Sequence, residues 1–316
     1  MKIRSVCVIG GSGFLGSHIV NVLATRGLPV RIPTRNRDRA KHELILLPTA
    51  DVTTADVHDP ETLRRLVAGA DAVISLVGVL DGRHDGFRRN HVELPRRIVA
   101  ACRDEGVKRL VHVSSLGASA DAPSEYQRSK AEGESEIAAA AQYDIRTTIF
   151  RPSVVFGRGD HFLSLFARLA RALPVIPLGC AGAKFQPIHV EDVARALVTS
   201  LDNPDAFGQR YDLCGPKVYT LRELVEYACA LLGLERAVVP LPDKLAWLQA
   251  AVLEHLPGRL MTRDNVLSMQ VDNVCRCDFP AVFGFAPAAL EAIAPTYLAE
   301  RTPRSRYRGF RYRAGR

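Results

Sequence analysis

Short apolar, β-branched runs alternate with longer amphipathic segments through the first half of the chain. Residues 3–9, IRSVCVI, have the length and composition of a buried parallel strand, and residues 14–27 have the pattern of a helix that ends at Gly27. Six such strand–helix units are predicted within about the first 155 residues, the sixth strand being IRTTIFRPSVVFG. Strands that alternate with helices of this length form parallel sheets covered by helices on both faces. The pattern predicts an α/β fold with a doubly wound parallel sheet (Rossmann).

After Gly157 the alternation loosens, and the pattern predicts a smaller C-terminal lobe. HFLSLFARLARAL has the spacing of an amphipathic helix, and TLRELVEYACALLG begins with Thr220 as N-cap and Glu223 at the capping-box position. We expect residues 1–155 to form a dinucleotide-binding domain, to which part of 186–215 returns. Residues 156–300 should mainly form the lobe over the carboxyl edge of the sheet, and residues 301–316 a basic tail.

Nearly all of the net positive charge lies at the C-terminus. The net charge is +8, and the last sixteen residues, RTPRSRYRGFRYRAGR, hold seven arginines and no acid, which leaves 8 − 7 = +1 for residues 1–300. Such a segment can bind an anionic membrane surface, and a solvated chain end is the alternative. We expect no specific nucleic-acid partner.

One apolar segment of the lobe stands out. Residues 240–257 contain the only tryptophan of the chain, on a predicted helix between Pro242 and Pro257. The helix is too short to span a bilayer but long enough to lie in its surface, and packing on the lobe's own core is the alternative. With the basic tail it suggests peripheral attachment to the inner face of a membrane.

The remaining composition indicates a cytoplasmic protein. The seven cysteines are scattered and odd in number, which suggests free thiols in a reducing compartment and no metal site. The N-terminus runs directly into a strand, so we expect no signal peptide, and no apolar run is long enough for a transmembrane helix.

The motif IGGSGFLG predicts a phosphate-binding loop. Gly10, Gly13 and Gly16 directly follow the first strand and open a helix, where backbone N–H groups and the helix dipole favour a pyrophosphate. The second strand ends with Arg35 and further arginines rather than an acid, which favours a 2′-phosphate and hence NADP(H), with NAD(H) as the alternative. Other strand ends should complete the cofactor site; they are Asp56, Val57, Leu76, Val77 and Gly78.

The stretch SEYQRSKAEGE carries the candidate chemistry. Tyr126 and Lys130 share a helix face, so Lys130 can lower the tyrosine pKa and bind a ribose hydroxyl while Tyr126 donates a proton to a carbonyl. Ser114 and Ser115, at the end of the fifth strand, are expected to orient that carbonyl. Only eleven positions separate Ser115 from Tyr126, which places the tyrosine near its helix start. Whether the pair turns over a substrate or only grips the ribose stays open.

Together with VHVSSLGA and RPSVVFG, these motifs resemble the extended or atypical short-chain dehydrogenase/reductase superfamily. RPSVVFGRGDHFLSLFA, AKFQPIHVEDVA and MTRDNVLSMQVDNV are more narrowly similar to the nucleotide-binding accessory subunit of respiratory complex I and its bacterial relatives. The resemblance, over residues 3–295, implies bound NADP(H), a link to quinone metabolism, and in some relatives a structural use of the nucleotide. It implies phosphate-loop contacts from Ser12, Phe14 and Leu15, and places Pro152 and Val154 beside the nicotinamide.

Two other functions remain as alternatives. One is a soluble nucleotide-sugar epimerase or dehydratase, and the other is a non-catalytic, nucleotide-sensing interaction protein that makes contact through the basic tail. The apolar segment at 240–257 and the short Ser115–Tyr126 approach argue against the first. The glycine motif that predicts a bound nicotinamide dinucleotide is expected in all three kinds of protein.

Overall fold

A computed structural model describes residues 3–44, 47–80, 84–256 and 260–299, which form a parallel sheet with flanking helices and an adjoining lobe. The strands are β1 (Val6–Ile9), β2 (Val30–Thr34), β3 (Ala50–Thr54), β4 (Ala72–Ser75), β5 (Arg109–Val113), β6 (Arg146–Pro152), β7 (Val155–Phe156), β8 (Val175–Leu178), β9 (Lys184–Phe185), β10 (Ile188–His189), β11 (Arg210–Leu213), β12 (Tyr219–Thr220) and β13 (Ala237–Pro240). The helices are α1 (Phe14–Thr25), α2 (Arg37–Leu44), α3 (Pro60–Val67), α4 (His84–Phe87), α5 (Leu94–Asp104), α6 (Glu125–Ala138), α7 (Leu163–Ala172), α8 (Val190–Ser200), α9 (Leu221–Leu231), α10 (Asp243–Leu253), α11 (Arg263–Ser268) and α12 (Leu290–Leu298).

The main sheet has the order β11-β6-β5-β4-β1-β2-β3, and all of its neighbouring strands are parallel. The predicted doubly wound α/β fold is therefore confirmed. The strand order reverses between β1 and β4, and ligands of such sheets bind at the carboxyl ends of the strands beside this point. A seventh strand, β11, comes from the later part of the chain and pairs with β6.

The two faces of the sheet carry separate cores. In β1, Val6 and Val8 contribute to the core on one side, and Cys7 and Ile9 to the core on the other. This alternation explains why the strand is apolar at every position, since both faces are buried. Helices α1 and α8 cover the first face, whereas α3, α5 and α6 pack together on the second.

The C-terminal lobe has its own apolar core between α7, α9 and the strand pair β8–β13. Thr220 and Glu223 form the predicted capping box at the start of α9. Asp160, which precedes α7, accepts a hydrogen bond from the Tyr297 hydroxyl at 2.6 Å and so ties α12 to the loop after β7. This bond joins two segments of the lobe to each other.

The prediction that the cysteines are free thiols is wrong for two of them. Cys214, directly after β11, and Cys275 are joined by a disulfide, although 61 residues separate them in sequence. The return of β11 to the main sheet brings the two together, which a scattered cysteine pattern does not reveal. Cys7, Cys102, Cys180, Cys229 and Cys277 are free.

Helix α10 turns its large apolar side chains outward. Ala246 and Ala250 are its buried residues, and a Cβ added to Gly179 would lie 2.9 Å from the Ala246 Cβ, so the helix sits close to the end of β8. Leu245, Trp247, Leu248 and Val252 are exposed, Leu248 at 59%. These four side chains therefore do not pack on the core of the lobe. Pro257 and the basic tail lie outside the described residues.

Across the described ranges, no helix combines the length and the hydropathy that crossing a bilayer requires. The same ranges contain no group of three or more histidine, cysteine or acidic side chains arranged to hold a metal ion.

Candidate functional site

The turn between β1 and α1 has the form of a phosphate-binding loop. Gly10 has a φ of +91°, in the left-handed region that favours glycine. A Cβ added to Gly16 would lie 2.3 Å from the Gly10 carbonyl oxygen, so no side chain fits there. Gly13 is the N-cap of α1 and supplies no capping side chain, which leaves the first N–H groups of the helix facing the loop. The loop is therefore a cradle for an anion at a helix N-terminus.

The neighbouring loop residues complete this cradle. The Ser12 hydroxyl donates a hydrogen bond to Thr34 Oγ1 at 3.3 Å and ties the loop to the end of β2. Phe14 and Leu15 open α1 and are half-buried. A Cβ at Gly159 would lie 3.7 Å from the Phe14 ring, so the aromatic side chain reaches the loop after β7.

A cavity of about 710 Å³ lies beside the ends of β2 and β3, at the far end of the predicted cofactor site. Arg35, Asp56 and Arg65 line it, and the Arg35 side chain is exposed. β3 ends at Thr54, so Asp56 lies beyond the strand rather than at its end, and its carboxylate accepts a hydrogen bond from the His58 N–H at 3.0 Å. Val57 packs on the core behind the cavity.

The end of β4 connects the loop to the candidate catalytic residues. A Cβ on Gly10 would lie 3.2 Å from both the Leu76 Cβ and the Val77 nitrogen, so these two residues contact the phosphate loop. Gly78 follows, and a Cβ there would lie 3.5 Å from Lys130 Nζ. The structure thus brings Gly78 and Lys130 together.

Tyr126 is the second residue of α6, so the short approach from Ser115 does place it at a helix start. Its ring makes edge contacts with Phe87 and His91, at centroid distances of 6.0 and 5.5 Å. Burial raises the pKa of the Tyr126 phenol, and the adjacent Ser115 hydroxyl opposes that shift. The phenol is therefore protonated at neutral pH, the form a proton donor needs.

Lys130 lies one turn further along α6 and is 4% exposed. Its ammonium donates a hydrogen bond to the Val113 carbonyl oxygen at 3.0 Å. Burial lowers the pKa of Lys130 to about 8, while the Glu134 carboxylate opposes the shift. Because an ammonium has three donors, two remain for a ligand hydroxyl.

The Lys130 shift predicts a dependence of stability on pH. Below pH 8 the ammonium is charged in both states, whereas between pH 8 and the ordinary value of 10.5 the unfolded chain binds more protons than the folded one. The free energy of unfolding should therefore rise with pH through this window, by about 1–3 kcal/mol. Denaturant titrations of wild type and Lys130→Met check this, because the difference between their slopes against pH isolates Lys130. Parallel slopes would contradict it.

Ser114 and Ser115 lie at the carboxyl end of β5, where their backbones are fixed. The Ser114 N–H donates to the Phe150 carbonyl at 2.7 Å. The Leu116 N–H, two residues further on, donates to the Pro152 carbonyl at 3.0 Å. Both serine hydroxyls are buried; that of Ser114 has no hydrogen-bond partner among the described residues, whereas that of Ser115 faces the Tyr126 phenol. Buried polar groups are rarely left unsatisfied, so the Ser114 hydroxyl beside this phenol indicates a place for a ligand's polar atom.

Pro152 and Val154 border the same region from the end of β6. Pro152 is buried, and the Val154 N–H donates to the side-chain oxygen of Asn273 at 2.9 Å. The Ser153 hydroxyl donates to the same oxygen at 2.6 Å. An amide from the C-terminal lobe therefore fixes the segment that the resemblance places beside the nicotinamide.

Sequence reasoning missed His91, which follows Asn90 in the helical segment before α5. The Asn90 side-chain amide donates to the Gly86 carbonyl of the same segment at 2.8 Å. His91 Nε2 accepts from the Val79 N–H at 3.0 Å, so Nδ1 carries the proton and faces the Ser129 hydroxyl at 2.9 Å. Burial lowers the pKa of His91 to about 3, which keeps the ring neutral. Ser129 in turn donates to the Tyr126 carbonyl, so this chain supports the tyrosine.

The glycine loop and the helix that carries Tyr126 and Lys130 both lie at the carboxyl edge of the main sheet. Residues 6–214 match the NAD dependent epimerase/dehydratase family. The chain belongs to that family.

The chain is similar to a subunit of a respiratory enzyme and to a reductase of a lipid. Over 295 residues the chain is 34% identical to the mitochondrial NADH dehydrogenase [ubiquinone] 1 alpha subcomplex subunit 9 of Mus musculus, covering 90% of this chain and 77% of the relative. It is also 34% identical over 240 residues to a ceramide reductase of Caulobacter vibrioides, covering 75% of this chain and 74% of the relative. The resemblance to the complex I accessory subunit is therefore confirmed.

Solved epimerase/dehydratase structures share the fold. A dTDP-glucose 4,6-dehydratase of Streptomyces venezuelae, solved with NAD and DAU bound, superposes with a TM-score of 0.74 at 22% identity, covering 94% of this chain and 96% of that one. At this identity the likeness concerns the fold alone. Nicotinamide dinucleotide binding follows from the family, and the glycine cradle at the start of α1 fits the pyrophosphate of such a cofactor.

Proposed function

We propose that the protein is an NADP(H)-dependent reductase of an apolar carbonyl compound in quinone-linked metabolism. The observation that carries this proposal is the buried, unsatisfied hydroxyl of Ser114 next to the Ser115 hydroxyl and the protonated Tyr126 phenol that it faces. Hydroxyl donors next to a protonated phenol are the groups that a carbonyl oxygen requires during its reduction. The named activity of the ceramide reductase and the ubiquinone-linked name of the mitochondrial relative support the substrate class.

The bound nicotinamide would supply a hydride, and the chain would supply the proton and the geometry. Tyr126 gives its phenolic proton to the carbonyl oxygen as the carbon–oxygen double bond is reduced, and the alcohol forms. The Lys130 ammonium stabilises the resulting tyrosinate until solvent reprotonates it. The two serine hydroxyls donate to the carbonyl oxygen and fix its position.

Hydride transfer tests the proposal directly. The purified protein would be incubated with NADPH deuterated at C4, and deuterium incorporation would be followed by mass spectrometry. The carbonyl panel would comprise ubiquinone analogues, long-chain ketolipids and a nucleotide 4-ketosugar. The expected result is deuterium on the carbinol carbon of the lipid product, or quinol formation coupled to NADPH oxidation, which is followed by absorbance because a quinol's O–D exchanges with water. Deuterium in the sugar would favour a nucleotide-sugar enzyme, and NADPH binding without transfer to any compound would favour a structural holder or a nucleotide sensor.

The preference for NADP(H) rests on Arg35, which lines the cavity beside β2 and β3. Hydrogen bonds to a charged phosphate should make Arg35→Ser lose about 10- to 100-fold in NADPH affinity, with little loss for NADH. Isothermal titration of both nucleotides measures the ratio. Arg37→Ser is the matched control, because Arg37 is also exposed and lies two residues further along the chain. Equal losses for both nucleotides would contradict the assignment.

We also infer that α10 attaches the protein to an anionic membrane surface, at the inner face where apolar quinones and lipids reside. Its large side chains point outward while its alanines are buried, which suits insertion among lipid headgroups. The seven arginines of residues 301–316 supply the second, electrostatic signal that stable attachment needs.

Vesicle binding tests the attachment. Because Trp247 is the only tryptophan and lies on α10, its emission should shift to the blue when phosphatidylglycerol vesicles are added at low salt. Replacing Leu245 and Leu248 together with serine should weaken vesicle partitioning at least about tenfold. Leu173→Ser, an exposed leucine elsewhere on the lobe, should leave it unchanged. An unshifted emission, or equal effects of both variants, would contradict the inference.

A further inference from the structure

The N-terminus of the Tyr126 helix is held by a side chain from the C-terminal lobe. Asp264 Oδ1 accepts the Glu125 N–H at 2.7 Å, and Asp264 Oδ2 accepts the Tyr126 N–H at 3.1 Å. The two partners are 138 and 139 residues away in sequence. Hydrogen bonds from backbone N–H groups to a carboxylate are among the stronger ones in proteins.

This clamp completes the capping of α6. The Ser124 hydroxyl, fully buried, accepts the Gln127 N–H at 3.2 Å, so it serves the third helical N–H. Asp264 serves the first two, and a negative charge there also complements the helix dipole. The backbone of Tyr126 is thus fixed through a residue that belongs to another part of the fold.

Asp264 is itself rigidly placed. Helix α11 starts with a capping box, in which the Thr262 N–H donates to Asn265 Oδ1 at 2.9 Å and the Asn265 N–H donates to Thr262 Oγ1 at 3.2 Å. Arg263 pairs with Glu254, just after α10, at 2.7 Å. The carboxylate therefore has a fixed position relative to α6 rather than a mobile one.

We infer that Asp264 is a positioning residue for Tyr126, setting the distance of the phenol from the carbonyl that Ser114 and Ser115 would hold. The inference rests on the reductase proposed above. A tyrosine at the second position of a helix has little helix before it to fix its backbone, so its placement depends on what holds the first turn. Displacement of a reacting group by about 1 Å can cost on the order of 100-fold in rate.

The kinetic test separates positioning from binding. Asp264→Ala should lower kcat about 10- to 100-fold while the Kd for NADPH stays within about twofold, because the glycine loop and Lys130, one turn further along α6, still hold the nucleotide. Asp264→Asn retains one acceptor oxygen and should fall between wild type and alanine. Asp272→Asn, an exposed acid of the same segment that pairs with Lys184, is the matched control. Variants that lose thermal stability but keep the kcat of wild type would overturn the inference.

A second readout needs no turnover. With tyrosine labelled by ¹³C at the phenolic carbon, the Tyr126 resonance is identified by its disappearance in Tyr126→Phe. In the NADPH complex of the full chain, Asp264→Ala should shift or broaden this resonance, and Asp272→Asn should not. A resonance that stays unchanged in Asp264→Ala would overturn the inference even if the protein proves to be a reductase. A shifted resonance without activity in wild type would retain the positioning role and refute the reductase.

Discussion

Replacement of Tyr126 by phenylalanine is expected to lower kcat for carbonyl reduction by about 10²- to 10⁴-fold, the range in which a positioned proton donor contributes. The variant removes one hydroxyl and keeps the ring, so the edge contacts with Phe87 and His91 are retained. Affinity for NADPH should change little, because Lys130 and the glycine loop remain. Stopped-flow measurement of NADPH oxidation, with nucleotide affinity measured separately, checks both statements.

Tyr143→Phe is the matched control for this variant. It removes the same hydroxyl from a partly exposed tyrosine in the 3₁₀ segment after α6, and it should leave kcat unaltered. If Tyr126→Phe keeps the wild-type rate, another group donates the proton or the pair only grips the ribose. A variant that also loses NADPH binding would indicate that the phenol serves the cofactor rather than the carbonyl.

Local sequence patterns predicted the parts of the site that local backbone geometry dictates. The spacing of Gly10, Gly13 and Gly16 follows from the needs of one turn and one helix start, and the spacing of Tyr126 and Lys130 follows from the helical repeat. Alternating strands and helices predicted the doubly wound sheet for the same reason. In each case the determining contacts lie within a few residues of one another.

The parts that sequence reasoning missed depend on distant contacts. Asp264 is an ordinary acid at a helix start until α11 is packed against α6, and Asn273 becomes a structural amide only where it meets Ser153 and Val154. His91 looks like any helical histidine without the Val79 N–H that fixes its tautomer. No local pattern encodes these partners.

Helix α10 shows a different limit. Its sequence has large apolar residues on all sides, so periodicity does not distinguish a core helix from a surface one. Which face of α10 is buried depends on its close approach to Gly179. Only the small Ala246 side chain fits there, so Leu245, Leu248 and Trp247 lie on the exposed face. Through the ion pair of Glu254 and Arg263, the exposed helix is connected to the segment that holds Tyr126. The proposed membrane face and the proposed reaction centre therefore share one structural unit.

Arg109→Met is expected to produce the largest loss of stability, at least about 3 kcal/mol in the free energy of unfolding. The Arg109 side chain is 0% exposed, and burial lowers its pKa to about 10. Its guanidinium donates to the carbonyls of Ser200 and Arg146, each at 2.8 Å, and to Thr148 Oγ1 at 2.7 Å. It thereby joins the end of α8 to β5 and β6, and methionine would leave these buried acceptors unsatisfied.

Urea denaturation followed by circular dichroism measures the loss, and Arg146→Met is the matched control. Both guanidinium groups stack on the Phe207 ring, Arg109 at 4.8 Å and Arg146 at 5.3 Å from its centroid, but Arg146 is exposed, so its removal should cost no more than about 0.5 kcal/mol. Arg109→Lys then separates charge from geometry. A lysine keeps the charge, but its single nitrogen cannot reach the separate acceptors on α8 and β6 at once. Most of the stability should therefore still be lost. A lysine variant as stable as wild type would show that the guanidinium's hydrogen bonds do not hold these elements together.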